Sequence, residues 1–183
     1  MIIKLILSII CILTLFGRPI QASTPLSYDV IAGNLMKTTA DRLAIKHKLH
    51  LGGLTKGMMG CVKLMGFTFQ LNRKMGKDEA RAMLVNCVQE FLADINQNES
   101  LRKDLQVYPF DAKHVEIVIF LSTYDYGDLY YPDLSVIAAR HGELTYFTHD
   151  SEHEFKYKTR EVESFEDAVK IVESQNPPQK LAE

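Results

Sequence analysis

The sequence has no tryptophan, and only three cysteines, six prolines and ten glycines in 183 residues. So few cysteines exclude a disulfide-dense miniprotein. The scarcity of glycine and proline excludes a collagen-like or low-complexity chain. An excess of one charge is also missing: 21 basic and 23 acidic residues leave a formal charge of −2. That balance speaks against a general nucleic-acid binder, which draws on a basic surface. Only the N-terminus holds a long apolar run, so a multi-span membrane protein is excluded. There is no phosphate-cradling glycine loop, no Cys-x-x-Cys and no nucleophile elbow. Ser, His and Asp occur, but no spacing unites them into a catalytic triad. What is present is a 46% hydrophobic chain, long enough to bury a core as one domain.

The N-terminus has the grammar of an export signal. Lys4 supplies a positive charge, Leu5 to Phe16 is apolar, and Gly17 and Pro19 break the run before Ala22-Ser23. A basic region, a short apolar region and a small residue at a cleavage point predict a signal peptide over 1–22. A membrane anchor needs roughly 17–25 apolar residues, more than this run supplies. Cys11 follows Ile10 rather than a small residue, which argues against lipidation there. The expected organisation is therefore a signal peptide, a single domain over 23–176 and a disordered tail over 177–183. The expected location is periplasmic or secreted, where a disulfide between the remaining Cys61 and Cys87 would persist.

The first half reads as helical. Tyr28, Ala32, Leu35, Thr39, Leu43 and His47 line one face of a helix from Tyr28 to Leu51, closed by Gly52-Gly53. Lys46, His47, Lys48 and His50 suit its negative end better than they suit a metal or anion site. Leu54, Met58, Cys61, Val62, Met65 and Phe69 repeat the three-to-four spacing and predict a second helix over 54–71. Gly53, Gly57, Gly60 and Gly66 would let a neighbouring helix approach closely. Lys77 to Asn96 carries the most continuous stripe, from Ala80 through Leu84, Cys87, Val88 and Phe91 to Ile95, with Gly76 as cap. A short helix capped by Asn98 follows from Glu99 to Leu105. If 54–71 and 77–96 are antiparallel helices, Cys61 and Cys87 lie at the same height, about 20 Å from the turn. A disulfide between them would add roughly 3–4 kcal/mol; the alternative is a pair of buried thiols.

The second half changes period. His114 to Ser122 is apolar on both faces and predicts a central strand. Leu134–Arg140 and Glu143–Thr148 predict two more, joined by the tight connection His141-Gly142. Phe155, Tyr157 and Thr159 alternate with Lys156, Lys158 and Arg160 in a fourth. The basic row suits an exposed strand guarded against edge pairing better than it suits a phosphate site. Ser164 opens a final helix, with Asp167 in a capping-box arrangement. The expected fold class is α+β: N-terminal helices packed on a four-stranded antiparallel meander, with a C-terminal helix.

Two polar segments carry candidate chemistry. His149, Glu152 and His153 form an H-x-x-E-H order used by some zinc peptidases, which would make them divalent-metal ligands. They lie between two strands, so the alternative is a polar turn with no cofactor. The second segment is a tyrosine-rich loop, in which Tyr124, Asp125, Tyr126, Asp128, Tyr130 and Tyr131 suit contact with a partner; the alternative is an ordinary connection between the first two strands. The expected function is an exported, non-catalytic domain that binds another protein or an envelope component. The alternative is a metal-dependent hydrolase or metal-binding protein.

Overall fold

A computed structural model describes residues 27–153 and 156–175. The expected export segment 1–22 and the expected tail 177–183 lie outside the described residues, as does Phe155 of the fourth expected strand. Helix α1, Tyr28–His47, buries Ala32, Met36, Thr39, Ala40 and Leu43 along one face. It stops before the Leu51 expected from sequence because Lys48 turns left-handed (φ 56°) and its N–H bonds back to the Ala44 carbonyl. Strand pairing then takes over from helix propagation. Strand β1 is His50–Met58 and β2 is Val62–Leu71, paired antiparallel through a turn at Gly60 (φ 75°).

This hairpin replaces the helix expected over 54–71. The deciding pattern is alternation: Met65, Phe67, Phe69 and Leu71 all point to the core and are at most 3% exposed. Phe and Thr favour a pleated, half-buried strand, and neighbouring strands satisfy its backbone. Gly66 has a strand role, not a helix-packing one: a Cβ there would lie 2.3 Å from the Glu116 carbonyl oxygen. The correction removes the premise of facing helices, and with it the disulfide. Cys61 sits half-buried in the hairpin turn, Cys87 is fully buried in a helix, and among the described residues both thiols are free.

Helix α2, Lys77–Gln97, runs close to its expected bounds and buries Ala80, Met83, Leu84, Cys87, Val88, Phe91 and Ile95. Helix α3, Glu99–Arg102, is shorter than expected, although the Asn98 side chain caps it by accepting from the Leu101 N–H at 3.0 Å. Asn96 then pins the chain by two bonds to the Phe110 backbone (2.9 and 2.7 Å). Strands β3 (Val115–Leu121), β4 (Val136–Arg140), β5 (Glu143–His149) and β6 (Tyr157–Ser164) pair antiparallel in chain order, as part of a larger sheet and not as the four-stranded meander expected. His141 and Gly142 both have positive φ, as a two-residue hairpin turn requires. Helix α4, Phe165–Gln175, begins without an intervening residue. Ser164 caps it as expected, accepting from the Asp167 N–H at 3.0 Å and donating to the Asp167 carboxylate at 2.8 Å.

The fold is α+β, but the sheet is mixed and has six strands in the order β1-β2-β3-β4-β5-β6. The pair β2–β3 is parallel, with α2 and α3 in the crossover; the other four pairs are antiparallel. Core-facing register aligns Phe67, Ile117 and Ala139, and beside them Phe69, Ile119, Ile137 and Tyr146. The helices pack on that side. On the other side Val118, Val136, Ala138 and Phe147 form a small cluster of strand residues alone. Among the described residues no helix is long and apolar enough to cross a membrane.

Candidate functional site

The segment between β3 and β4 lies at the carboxyl ends of the parallel pair β2–β3. Buried Leu129 anchors it to the core at 2% exposure. At its start the Thr123 N–H bonds the Gly127 carbonyl (2.9 Å) and the Thr123 hydroxyl accepts from the Gly127 N–H (2.8 Å), closing a tight turn with Tyr126 at φ 66°. At its far end the Tyr131 N–H bonds the His149 carbonyl (3.0 Å), and Lys74 pairs with Asp133 (2.6 Å). The loop is thus fixed at both ends and in the middle. Its tyrosines nevertheless face water: Tyr124 is 90% exposed, Tyr126 68%, Tyr131 60% and Tyr130 44%.

The two candidate segments meet at this end of the sheet, because Tyr130 and His149 form a parallel bridge. The sequence-predicted metal set is rearranged there. His149 stacks on Tyr157 (centroids 5.2 Å apart, planes 14°), and it is Asp150 that joins Glu152 and His153. Ligand atoms of those three lie within 4.8 Å of one another in an irregular turn, not on the helix that an H-x-x-E-H peptidase site needs. His153 Nδ1 is 3.1 Å from Asp150, and the Lys158 ammonium is 3.9 Å from the same oxygen. The Glu152 N–H, above all, holds the Asp150 carboxyl below the usual carboxylate range, helped by His153 and Lys158.

Aromatic neighbours extend the tyrosine surface onto the open sheet face, and sequence reasoning did not single them out. Phe147 and Tyr157 have ring centroids 4.3 Å apart, and Phe120 and Tyr157 are 47% and 48% exposed. Alternation along β3, β5 and β6 was the available signal, since it puts Phe120, Phe147 and Tyr157 on the face opposite the core. A crevice of about 640 Å³ beside the loop is lined by Lys74, Lys77, Tyr131, Asp133, Thr148 and Glu161. Lys74 pairs there with Asp133 and Lys77 with Glu161, each at 2.6 Å, while its Glu79 pairs with Arg73. A larger open groove of about 1120 Å³ runs between α1 and the α2–α3 junction. There Asp94 accepts from the Thr39 hydroxyl (2.5 Å) and takes a fork of two bonds from Arg42 (3.2 and 2.8 Å).

Behind the crevice lies a polar network that no motif announced. Arg81, 6% exposed, donates through Nε to Glu163 at 2.8 Å and through another nitrogen to Asp78 at 2.5 Å. The Tyr146 hydroxyl donates to the same Glu163 oxygen. Burial first, and the Glu163 carboxylate second, push the Tyr146 hydroxyl well above its ordinary value. Arg81 Nε, one further Arg81 nitrogen and the Tyr146 hydroxyl are each committed to a carboxylate. Comparison with protein-family models, curated proteins and solved structures finds no match to this chain.

Proposed function

We propose that this is an exported, non-catalytic domain that binds another protein through the loop carrying Tyr124, Asp125, Tyr126, Asp128, Tyr130 and Tyr131. The observation that carries the reading is the combination of high tyrosine exposure with a backbone pinned by Leu129, Thr123, His149 and Lys74. Tyrosine supplies large contact area at small entropic cost. A loop held in one shape loses little further freedom on binding. Export is supported by the basic, apolar and small-residue order of residues 1–22.

The test is a photo-reactive residue placed at Tyr126 in the natural host, followed by mass spectrometry of the adducts. A single partner should be captured. It should disappear when the other three tyrosines are changed to serine, with the melting temperature unchanged. Adducts that ignore those serine changes would sink the reading. A second reading, a divalent-metal site at Asp150, Glu152 and His153, draws on the spacing of their ligand atoms. Calorimetric titration with Zn²⁺ tests it: a stoichiometric heat abolished by His153→Ala supports it, and no heat removes it.

A further inference from the structure

Resting on that reading, we infer that the partner meets the tyrosine loop with a lysine- or arginine-bearing segment. The chain contains no Lys, Arg or His between Thr123 and Leu134, but three Asp. Asp133 is taken by Lys74. Asp125 accepts from the Thr123 hydroxyl (2.5 Å) and from its own backbone N–H, and Asp128 approaches the Tyr130 hydroxyl (3.5 Å); neither has a cationic partner among the described residues. Nearby carboxylates differ: Asp150 is near Lys158, Glu161 pairs with Lys77 and Glu163 with Arg81. Asp125 and Asp128 are therefore the two carboxylates of the loop itself without a cationic partner among the described residues.

The rings point the same way. A cation above a tyrosine face is attracted by the ring quadrupole. Elsewhere the molecule uses that attraction internally: Lys77 lies 5.2 Å from the Tyr146 centroid and Arg102 lies 4.7 Å from that of Tyr108. The four loop tyrosines have neither a cation nor a ring partner among the described residues. Four open tyrosine faces with two carboxylates that lack a cationic partner complement a cationic polypeptide segment. An acidic segment would meet repulsion there, which is how charge patterns reject wrong partners.

The probe is a random peptide display library selected on the full chain and counter-selected on a chain with all four loop tyrosines changed to serine. Peptides enriched only by the unaltered chain should carry Lys or Arg and a net positive charge. Their affinity should drop about tenfold for the Asp125→Asn/Asp128→Asn chain, and it should weaken with added salt. Asparagine can still accept from Thr123, so the turn is kept, and an unchanged melting temperature checks this. Enrichment of neutral or acidic peptides overturns the inference while leaving the loop as the binding surface. So does cationic enrichment that ignores the Asn changes. Enrichment indifferent to the serine changes overturns both. Loop-dependent retention on a glycan array without peptide enrichment likewise overturns both.

Discussion

Replacing Glu163 with alanine removes the one carboxylate oxygen that serves both the Arg81 guanidinium and the Tyr146 hydroxyl. Arg81 has a side chain only 8% exposed, so water cannot readily take over the lost bond, and Tyr146 is 1% exposed. Removing one partner of a buried pair costs about 3–5 kcal/mol. Asp78 still holds one end of the guanidinium from the solvent side, which places the expected loss near the lower limit, about 3 kcal/mol. For a domain of this size that lowers the melting temperature by about 6–12 °C. Removing the network whole should be far milder. The triple change Arg81→Met, Glu163→Leu and Tyr146→Phe leaves no buried polar atom waiting for a partner, and it is expected within about 1.5 kcal/mol of the unaltered protein. Urea unfolding of the single and triple variants measures both quantities. A single variant that loses less than about 1 kcal/mol, or a triple variant no better than the single, would refute the argument that these groups act as a unit.

Two further outcomes follow from the cysteines and from His47. Burial pushes the Cys87 thiol up to about 12, so an alkylating reagent at neutral pH should modify Cys61 in the native protein and reach Cys87 only after unfolding; equal labelling before and after urea would contradict the buried helix face. Burial chiefly, with Lys46 second, lowers the pKa of His47, whose Nε2 is buried without a hydrogen-bond partner among the described residues. The unfolded chain takes up a proton near the ordinary value of about 6.5 while the folded chain resists it, so this contribution is complete above that pH and declines as pH falls below it. The urea midpoint should therefore drop between neutral and mildly acidic pH, and His47→Leu should flatten that slope; an unchanged slope would assign the pH dependence to other groups.

How much of this molecule could be read from its residues differs from element to element. Helix α2 was legible to within a residue because its stripe from Ala80 to Ile95 is unbroken and its cap is a glycine. The meander and its His141-Gly142 turn were legible because alternation and a positive-φ pair are local signals. Residues 54–71 misled because their apolar positions fit two periods at once. Leu54, Met58, Cys61, Val62, Met65 and Phe69 suit a helix, and Met65, Phe67, Phe69 and Leu71 suit a strand. The choice between them rests on a long-range fact, the arrival of β3 alongside Gly66, which no local window contains. The same limit hid the site's wider surface. The tyrosines of the loop are contiguous in sequence, whereas Phe120, Phe147 and Tyr157 reach the same end of the sheet from three strands. His149 left the expected metal set for an equally non-local reason: its ring found Tyr157 across the β5–β6 pair.

Ser164 is both the last residue of β6 and the cap of α4, with no loop between strand and helix. The two elements therefore share one rotational setting. Moving β6 by a single residue would turn its side chains to the opposite face and carry Glu163 away from Arg81. The same step would rotate α4 by about 100° and swing Ala168, its one fully buried residue, out of the core. An edge strand is usually the part of a sheet freest to slip or to be exchanged with another chain. Here the helix acts as a keyed shaft on that strand, and a slipped or swapped edge would have to unseat both ends of the junction together.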